Sequence, residues 1–343
     1  MPLPNDVKAA LERYLPGVFP VPRVEIVDSA RFSEGAIQEN WSLELKFPDG
    51  AKRMVVLRTD SASSIAASHS RAEEFQLLRA AWTAGVMVPE PLHCCTDPAV
   101  IGKQFILMQY VDGVALGPKV VRDETLGGDR KALVGELGRQ LARIHKITPK
   151  THSFDFLPDP PRDAGLAAVS AMRNYLDALS GPRPVLEWAL RWLGRYAPKP
   201  SEVVLVHHDF RTGNYLLNDH GLAAILDWEF AGWSEPHEDI GWFTAMCWRF
   251  SGREKEAGGI GARGDFYRGY EAESGRRIEP ERVYWWEVAA HLRWAIIALQ
   301  QAERFLVGGE RDLELALIGH RVVEMEAEIL RMTDPARNQE NGQ

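Results

Sequence analysis

Cysteine is scarce: Cys94, Cys95 and Cys247 are the three in 343 residues. Three thiols cannot build a disulfide framework, and without a C-x-x-C pair neither a zinc ribbon nor a thiol redox motif is encoded. The expected compartment is reducing. No stretch approaches 18 uninterrupted apolar residues, and residues 1–8 lack the basic opening and apolar run of a secretory signal. These absences predict a cytoplasmic chain that engages no membrane. Basic charge is also short, with 40 Lys and Arg against 48 Asp and Glu, a net charge of -8 and no long basic run. Nucleic acid is therefore not an expected partner. A G-x4-G-K-[S/T] motif is missing, which excludes a P-loop NTPase. Gly259, Gly261 and Gly264 do fit G-x-G-x-x-G, but a polar stretch at residues 251–258 precedes them where a dinucleotide fold needs a strand, so they read as a mobile loop. Internal repeats and low-complexity segments are absent.

What is present is ordinary for a globular protein, 45% apolar and 26% charged. At roughly 150 residues per domain the length suggests two domains or lobes. Residues 24–28, 37–47 and 52–58 are short, β-rich and broken by turn residues, with Pro48, Asp49 and Gly50 forming a hairpin. From 61 to 85 the period becomes helical: Ser61, Ser63 and Ser64 offer N-caps, Phe75, Leu77, Leu78 and Trp82 the apolar positions, and Gly85 the stop. Residues 86–91 read as a loop. Residues 104–111 read as a buried strand ending in an Asp112-Gly113 turn, which sets the expected lobes at 1–110 and 111–343. Beyond it the pattern predicts helices over 129–145, 169–179, 185–196 and 280–306, and a single final helix over 312–332. Between them, residues 202–240 read strand, polar loop, strand, turn, strand.

That polar loop, residues 207–214, reads His-His-Asp-Phe-Arg-Thr-Gly-Asn, and Asp227-Trp228-Glu229 follows after one hairpin. Asp209, Asn214 five positions later and Asp227 are the set that phosphoryl transfer to a hydroxyl requires. One carboxylate accepts the hydroxyl proton, while the amide oxygen and the other carboxylate hold magnesium on the nucleotide phosphates. Arg211 would place a cation beside the transferring group, where charge stabilisation does most of the catalytic work. An isolated Asp-x4-Asn is far more often a solvated turn, so the combination carries the reading.

His207-x-Asp209-x4-Asn214 together with residues 226–229 resembles the aminoglycoside phosphotransferase and choline kinase superfamily, a branch of the protein-kinase-like fold. Leu186, Trp188, Trp192, residues 205–214 and Asp239 are most similar to phosphotransferase domains related to those fused to acyl-CoA dehydrogenases. The resemblance extends over residues 20–330. It implies an α+β, bilobal protein-kinase-like fold, with a small antiparallel-sheet N-lobe carrying one helix and a larger, mainly helical C-lobe. It also implies ATP and Mg2+ as cofactors, Asp209 as general base, Asn214 and Asp227 as magnesium ligands, and His207 as the brace of the loop. Glu229 corresponds to an acid serving a second metal, and Asp239 to one that anchors the loop. In the N-lobe, Ser33 and Gly35 fall in the turn over the phosphates. Arg58 occupies the place of the phosphate-binding lysine, Glu74 is its ion-pair partner, and Met108, Gln109, Tyr110 and Val111 form the hinge that meets adenine. The implied partner is a small-molecule hydroxyl acceptor, with a hydroxyacyl compound placed first and an aminoglycoside or choline-type alcohol as alternatives.

Three departures stand out: Arg58 replaces lysine, His208 stands where most relatives have glycine, and Ser234-Glu235-Pro236 replaces Gly-Asp-Pro. Arginine still grips phosphate bidentately. The His208 ring either packs beneath the loop or projects toward the acceptor. His207 and His208 lack a third His or Cys at ligand spacing, so a transition-metal site is not expected. His145 reads as a core histidine outside the site. Trp233, Trp242, Trp248, Trp285, Trp286 and Trp294 all follow Asp227 and suit either a core or an aromatic cage. Trp242, Trp285 and His208 are the candidates for the acceptor pocket. A reading from another class is a silent nucleotide-binding pseudokinase, which Arg58 favours and the retention of Asp209, Asn214 and Asp227 opposes.

Overall fold

The computed structural model describes residues 2–32, 38–60 and 68–334. Ser33 and Gly35, expected over the phosphates, and the N-cap candidates Ser61, Ser63 and Ser64 lie outside the described residues. Along the chain run α1 (Asn5–Val18), β1 (Glu25–Arg31), β2 (Gln38–Lys46), β3 (Lys52–Asp60), α2 (Arg71–Thr83), β4 (Pro91–Cys95) and β5 (Phe105–Gln109). Next come α3 (Gly117–Arg122), α4 (Arg130–Ile144), α5 (Ala164–Asp177), α6 (Pro184–Arg195), β6 (Val204–Val206), β7 (Tyr215–Asn218), β8 (Gly221–Ile225) and β9 (Gly232–Ser234). The chain closes with α7 (Pro236–Thr244), α8 (Arg263–Ser274), α9 (Pro280–Leu306), α10 (Leu313–His320) and α11 (Val322–Thr333). Two compact units result, one of Met1–Val114 with Tyr215–Ala231, the other of Ala115–Asn214 with Gly232–Gln343. Thus the first unit has a second segment, the β7–β8 hairpin, in addition to the N-terminal stretch.

Within the first unit, β1-β2-β3-β5-β4 form a five-stranded sheet among the described residues, antiparallel throughout. Strand alternation sends Leu43, Leu45, Val55, Leu57 and Leu107 to one face, where they share a core with Leu11 and Leu15 of α1. Each such side chain contributes about 1.5–3 kcal/mol on burial. Arg58, next after Leu57, points to the other face. The α1 helix is an addition to the one-helix lobe expected from sequence: Pro4 gives it no side-chain cap and Pro16 lies inside it, which masks the Leu11/Leu15 spacing. For α2 the start also moves. Ser70 and Glu73 form a capping box, so the helix begins at Arg71. The β7–β8 hairpin joins this unit through backbone pairing of Val114 with Leu217 and of Ile225 N–H with Met87 O at 2.7 Å.

In the second unit, α9 is the central element, and α5, α6, α7 and α11 bury Trp285, Trp286, Leu292 and Ile296 around it. The expected single helix over 312–332 divides at Arg321, where Arg321 N–H bonds Ile318 O three residues back and tightens the turn. Several elements escape the sequence reading. In α7 nearly every residue from Pro236 to Thr244 is buried, which erases any amphipathic period, and β9 has only three residues. The glycine-rich stretch is partly packed: Ala257, Gly258, Gly259 and Ile260 are buried, Gly261 is half-buried and Gly264 falls in α8. Gly258 has φ +57°, and a Cβ there would fall 2.5 Å from both Phe243 and Thr212 Oγ1, so only glycine fits. Among the described residues no helix is long and apolar enough to cross a membrane.

His237 in α7 has its pKa pushed down to about 3 by burial, while the unfolded chain protonates near 6.5. Its contribution to stability is therefore complete above pH 6.5 and is lost as pH falls from there toward about 3, with a slope of roughly 1.4 kcal/mol per unit. Equilibrium urea unfolding across that window is expected to show a shallower acid loss in His237→Gln than in the wild type. Equal slopes would contradict the assignment.

Candidate active site

The loop that leaves β6 is held by one buried carboxylate. Asp239, from α7, is fully buried. Its Oδ2 accepts the backbone N–H of His207 at 2.6 Å, and its Oδ1 that of His208 at 2.8 Å. His145, at the C-terminus of α4, adds an Nε2 contact to Oδ2 at 3.2 Å, with its Nδ1 2.8 Å from the Tyr270 hydroxyl. Burial lowers the His145 pKa, so the ring is neutral, donating from Nε2 and accepting from Tyr270. Burial alone would raise the Asp239 pKa, but the hydrogen bond from His145 and the neighbouring imidazoles of His207 and His208 together leave it lowered. An ionised acid with three N–H donors can hold a strained turn. His208 has φ 62°, a left-handed conformation that costs a side-chain-bearing residue about 1–2 kcal/mol.

Asp209 is fixed on both oxygens. Its Oδ1 accepts from Arg211 Nε at 3.0 Å and from Trp242 Nε1 at 3.0 Å, while Oδ2 accepts from Asn214 Nδ2. The same Asn214 Nδ2 donates to Asp209 O at 2.9 Å, so the amide oxygen of Asn214 is turned away from these partners. Arg211 lies over the Trp248 ring at 4.5 Å. The His207 ring is buried and its Nδ1 accepts from Asp209 N–H at 3.3 Å, bracing the loop from within. His208 packs beside Glu238, with Nε2 3.4 Å from Oε1; burial would lower its pKa, but this carboxylate holds it raised. Thr212 donates to Gly258 O at 2.6 Å, which ties the glycine-rich stretch to the loop.

The first unit holds a separate charged set. Arg58 and Glu74 are buried and meet at 2.8 Å, and Arg58 NH1 also donates to Asp227 Oδ1 at 3.2 Å. Burial would depress the Arg58 pKa, but Glu74 and Asp227 keep it raised. Arg58 Nε is buried without an acceptor among the described residues. Asp227, like His208, has φ 62°, and its side chain is 38% exposed. Arg71 ion-pairs with the second Glu74 oxygen and lies 3.9 Å from Glu229 Oε2. Glu229 is thereby drawn to a cation in this unit. Met108 is buried and Gln109 exposed at the end of β5, with Tyr110 N–H 3.4 Å from Met54 O and Val111 half-buried beyond it.

Trp242 belongs to the Asp209 group and Trp285 does not. Trp285 is 3% exposed in the core, and its Nε1 donates to Leu193 O at 3.1 Å. Sequence reasoning missed Tyr270 and Arg71; it read His145 rightly as a core histidine but outside this group, and named Trp248 only among the tryptophans of a core or cage. Arg71 alone had a local signal, because it falls at i−3 from Glu74 just after a capping serine. The others act through contacts distant in the chain.

Asp239→Asn would leave an amide facing N–H donors at one of its two positions. The expected cost is about 3–5 kcal/mol of stability, read as a lower urea midpoint, together with loss of turnover. A wild-type midpoint would show that the carboxylate does not anchor the loop.

Residues 29–276 match the model of the phosphotransferase enzyme family. Acyl-CoA dehydrogenase family member 10 of Mus musculus is 27% identical over 246 residues, covering 70% of this chain and 22% of that protein. The chain therefore spans under a quarter of the length of that relative. Ethanolamine kinase 2 of Mus musculus is 26% identical over 328 residues, covering 87% of this chain and 76% of that one. A solved structure from Ralstonia eutropha, provisionally named an aminoglycoside phosphotransferase, aligns with a TM-score of 0.74 at 21% identity over 94% of this chain and 97% of that one. The fold is shared, the family match covers most of the sequence, and this chain belongs to the phosphotransferase enzyme family.

Proposed function

We propose that this protein is a small-molecule kinase that transfers the γ-phosphoryl group of ATP to an acceptor hydroxyl, with Asp209 as general base. The observation that carries this reading is the Asp209 carboxylate. It is fixed by Arg211, Trp242 and Asn214, yet its side chain keeps 16% exposure. Fixing a base in advance removes orientational freedom from the barrier, and phosphoryl transfer depends mainly on positioning and charge. Arg211 supports the same step by holding a cation against the base.

The remaining residues fit the cofactors. Asn214 has its amide nitrogen committed to Asp209, which leaves its oxygen for a cation, and Asp227 has Oδ2 beyond the oxygen paired with Arg58. Hard oxygen donors of this kind suit Mg2+. When bound, Mg2+ would neutralise charge on the nucleotide phosphates. Arg58 would meet those phosphates, and its Nε, which has no acceptor among the described residues, would gain one. The backbone of residues 108–111 would take the adenine edge, as the resemblance implies.

For the acceptor we infer a hydroxyacyl compound, on the strength of the similarity to acyl-CoA dehydrogenase family members. An aminoglycoside needs carboxylates for its ammonium groups. Glu238 and Asp239, which touch the loop, already serve His208, Arg293 and His145. A second reading, an amino alcohol, is favoured by the match to ethanolamine kinase 2. The test is turnover of Mg·ATP with 3-hydroxyacyl-CoA, ethanolamine, choline and hygromycin B, with phosphorylated product read by mass spectrometry. Hydroxyacyl turnover is expected, reduced about 10^3-fold in Asp209→Ala with an unchanged circular dichroism spectrum. Turnover of amines alone would overturn the acceptor, and wild-type rates in Asp209→Ala would overturn the base.

A further inference from the structure

We propose that Trp242 is a positioning residue for phosphoryl transfer: its indole N–H, with Arg211, saturates Oδ1 of Asp209 and assigns Oδ2 the task of taking the acceptor proton. This rests on Asp209 being the base. Trp242 is 3% exposed, and its indole N–H donates to that carboxylate at 3.0 Å. Oδ1 thus carries two N–H donors, Arg211 Nε and Trp242 Nε1, both at 3.0 Å. Among the described residues Oδ2 carries one, from Asn214. A carboxylate oxygen has about two lone-pair sites, so the oxygen with a vacant site is Oδ2. In the reaction the acceptor O–H proton moves to Oδ2, the acceptor oxygen forms a bond to the γ-phosphorus, and the bond from that phosphorus to the ADP oxygen breaks.

The surroundings give Trp242 a fixed orientation. Arg293 lies over its ring at 4.7 Å, and Trp248 meets it at 5.1 Å between ring centroids, tilted by 51°. Trp248 in turn lies under the Arg211 guanidinium at 4.5 Å. The order Arg293, Trp242, Trp248, Arg211 alternates cations with aromatic faces at its two ends, and both partners of Oδ1 belong to it. Cation–aromatic contacts of this kind hold side chains by about 0.5–2 kcal/mol each. The platform underneath is α7. Asp239 and Trp242 stand three positions apart on it and so share a face. One turn of helix therefore sets both the backbone of the loop, through Asp239, and the carboxylate of the base, through Trp242. Gly241 seals α7 against α9, since a Cβ there would fall 2.6 Å from Trp286 Cβ.

Two measurements test this with the full chain. In 1H–15N spectra, the Trp242 indole resonance is assigned by its disappearance in Trp242→Phe. It is expected to move in Asp209→Asn more than the other indole signals do. A Trp242 resonance unchanged in Asp209→Asn would overturn the proposal. The second is ADP release from Mg·ATP with water as the acceptor. Trp242→Phe is expected to lower kcat by about tenfold or more at unchanged KM for ATP. Replacing the Trp242 indole by benzothiophene, through benzothienylalanine, keeps the ring and removes only the N–H, and should reproduce that loss. Wild-type kcat with benzothienylalanine at this position would sink the positioning role, whereas wild-type kcat in Asp209→Asn would sink the base itself.

Discussion

The buried carboxylate of Asp239 is the interaction on which the candidate site depends. It takes the N–H groups of His207 and His208 and the ring of a neutral His145, and it is out of contact with water. Hydrogen bonds to a buried charge are worth more than neutral ones, and removing their acceptor leaves donors that nothing else can satisfy. The left-handed turn at His208 persists because this acid holds the peptide N–H groups of His207 and His208, which lead into it. A side chain at that turn, where glycine would be relaxed, is strain supported by the surrounding structure. The His208 ring then packs beside Glu238, a direction in which glycine could make no contact.

Arginine at position 58 has a comparable physical logic. A guanidinium presents five N–H groups in a plane, and Arg58 uses different edges for Glu74 and Asp227. An ammonium on a flexible stem could not hold the two carboxylates in that fixed plane. Arg71 then balances the second oxygen of Glu74. Buried charge in the first unit is therefore matched within that unit, and the helix bearing Glu74 is held by its capping box. Retention of this set together with Asp209, Asn214 and Asp227 weighs against a silent nucleotide-binding scaffold.

The phosphotransferase family was legible in the sequence because residues 207–214 and 227–229 are contiguous and their types are chemically restrictive. The strands were legible too, since Leu43, Leu45, Val55 and Leu57 alternate on one face. What escaped lacks a local signature. His145 is 94 positions from Asp239, and a histidine at a helix end reads as core until tertiary structure brings it to an acid. In α7, burial on all sides removes the periodicity by which helices are recognised. Trp242 was singled out for an acceptor pocket, and the contact that sequence could not show is that its N–H reaches the Asp209 carboxylate. Gly258 appeared within a polar stretch and proved to be a packing contact of Thr212. In each case the missing information was which distant segment would be adjacent.

A magnesium-dependent nucleotide site in this chain is open to calorimetric titration with a non-hydrolysable ATP analogue, with and without Mg2+, on the wild type and on Asp227→Ala. Binding is expected to strengthen with Mg2+ in the wild type and to lose that strengthening in the variant. Absence of nucleotide binding, or Mg2+ dependence undiminished in Asp227→Ala, would contradict it.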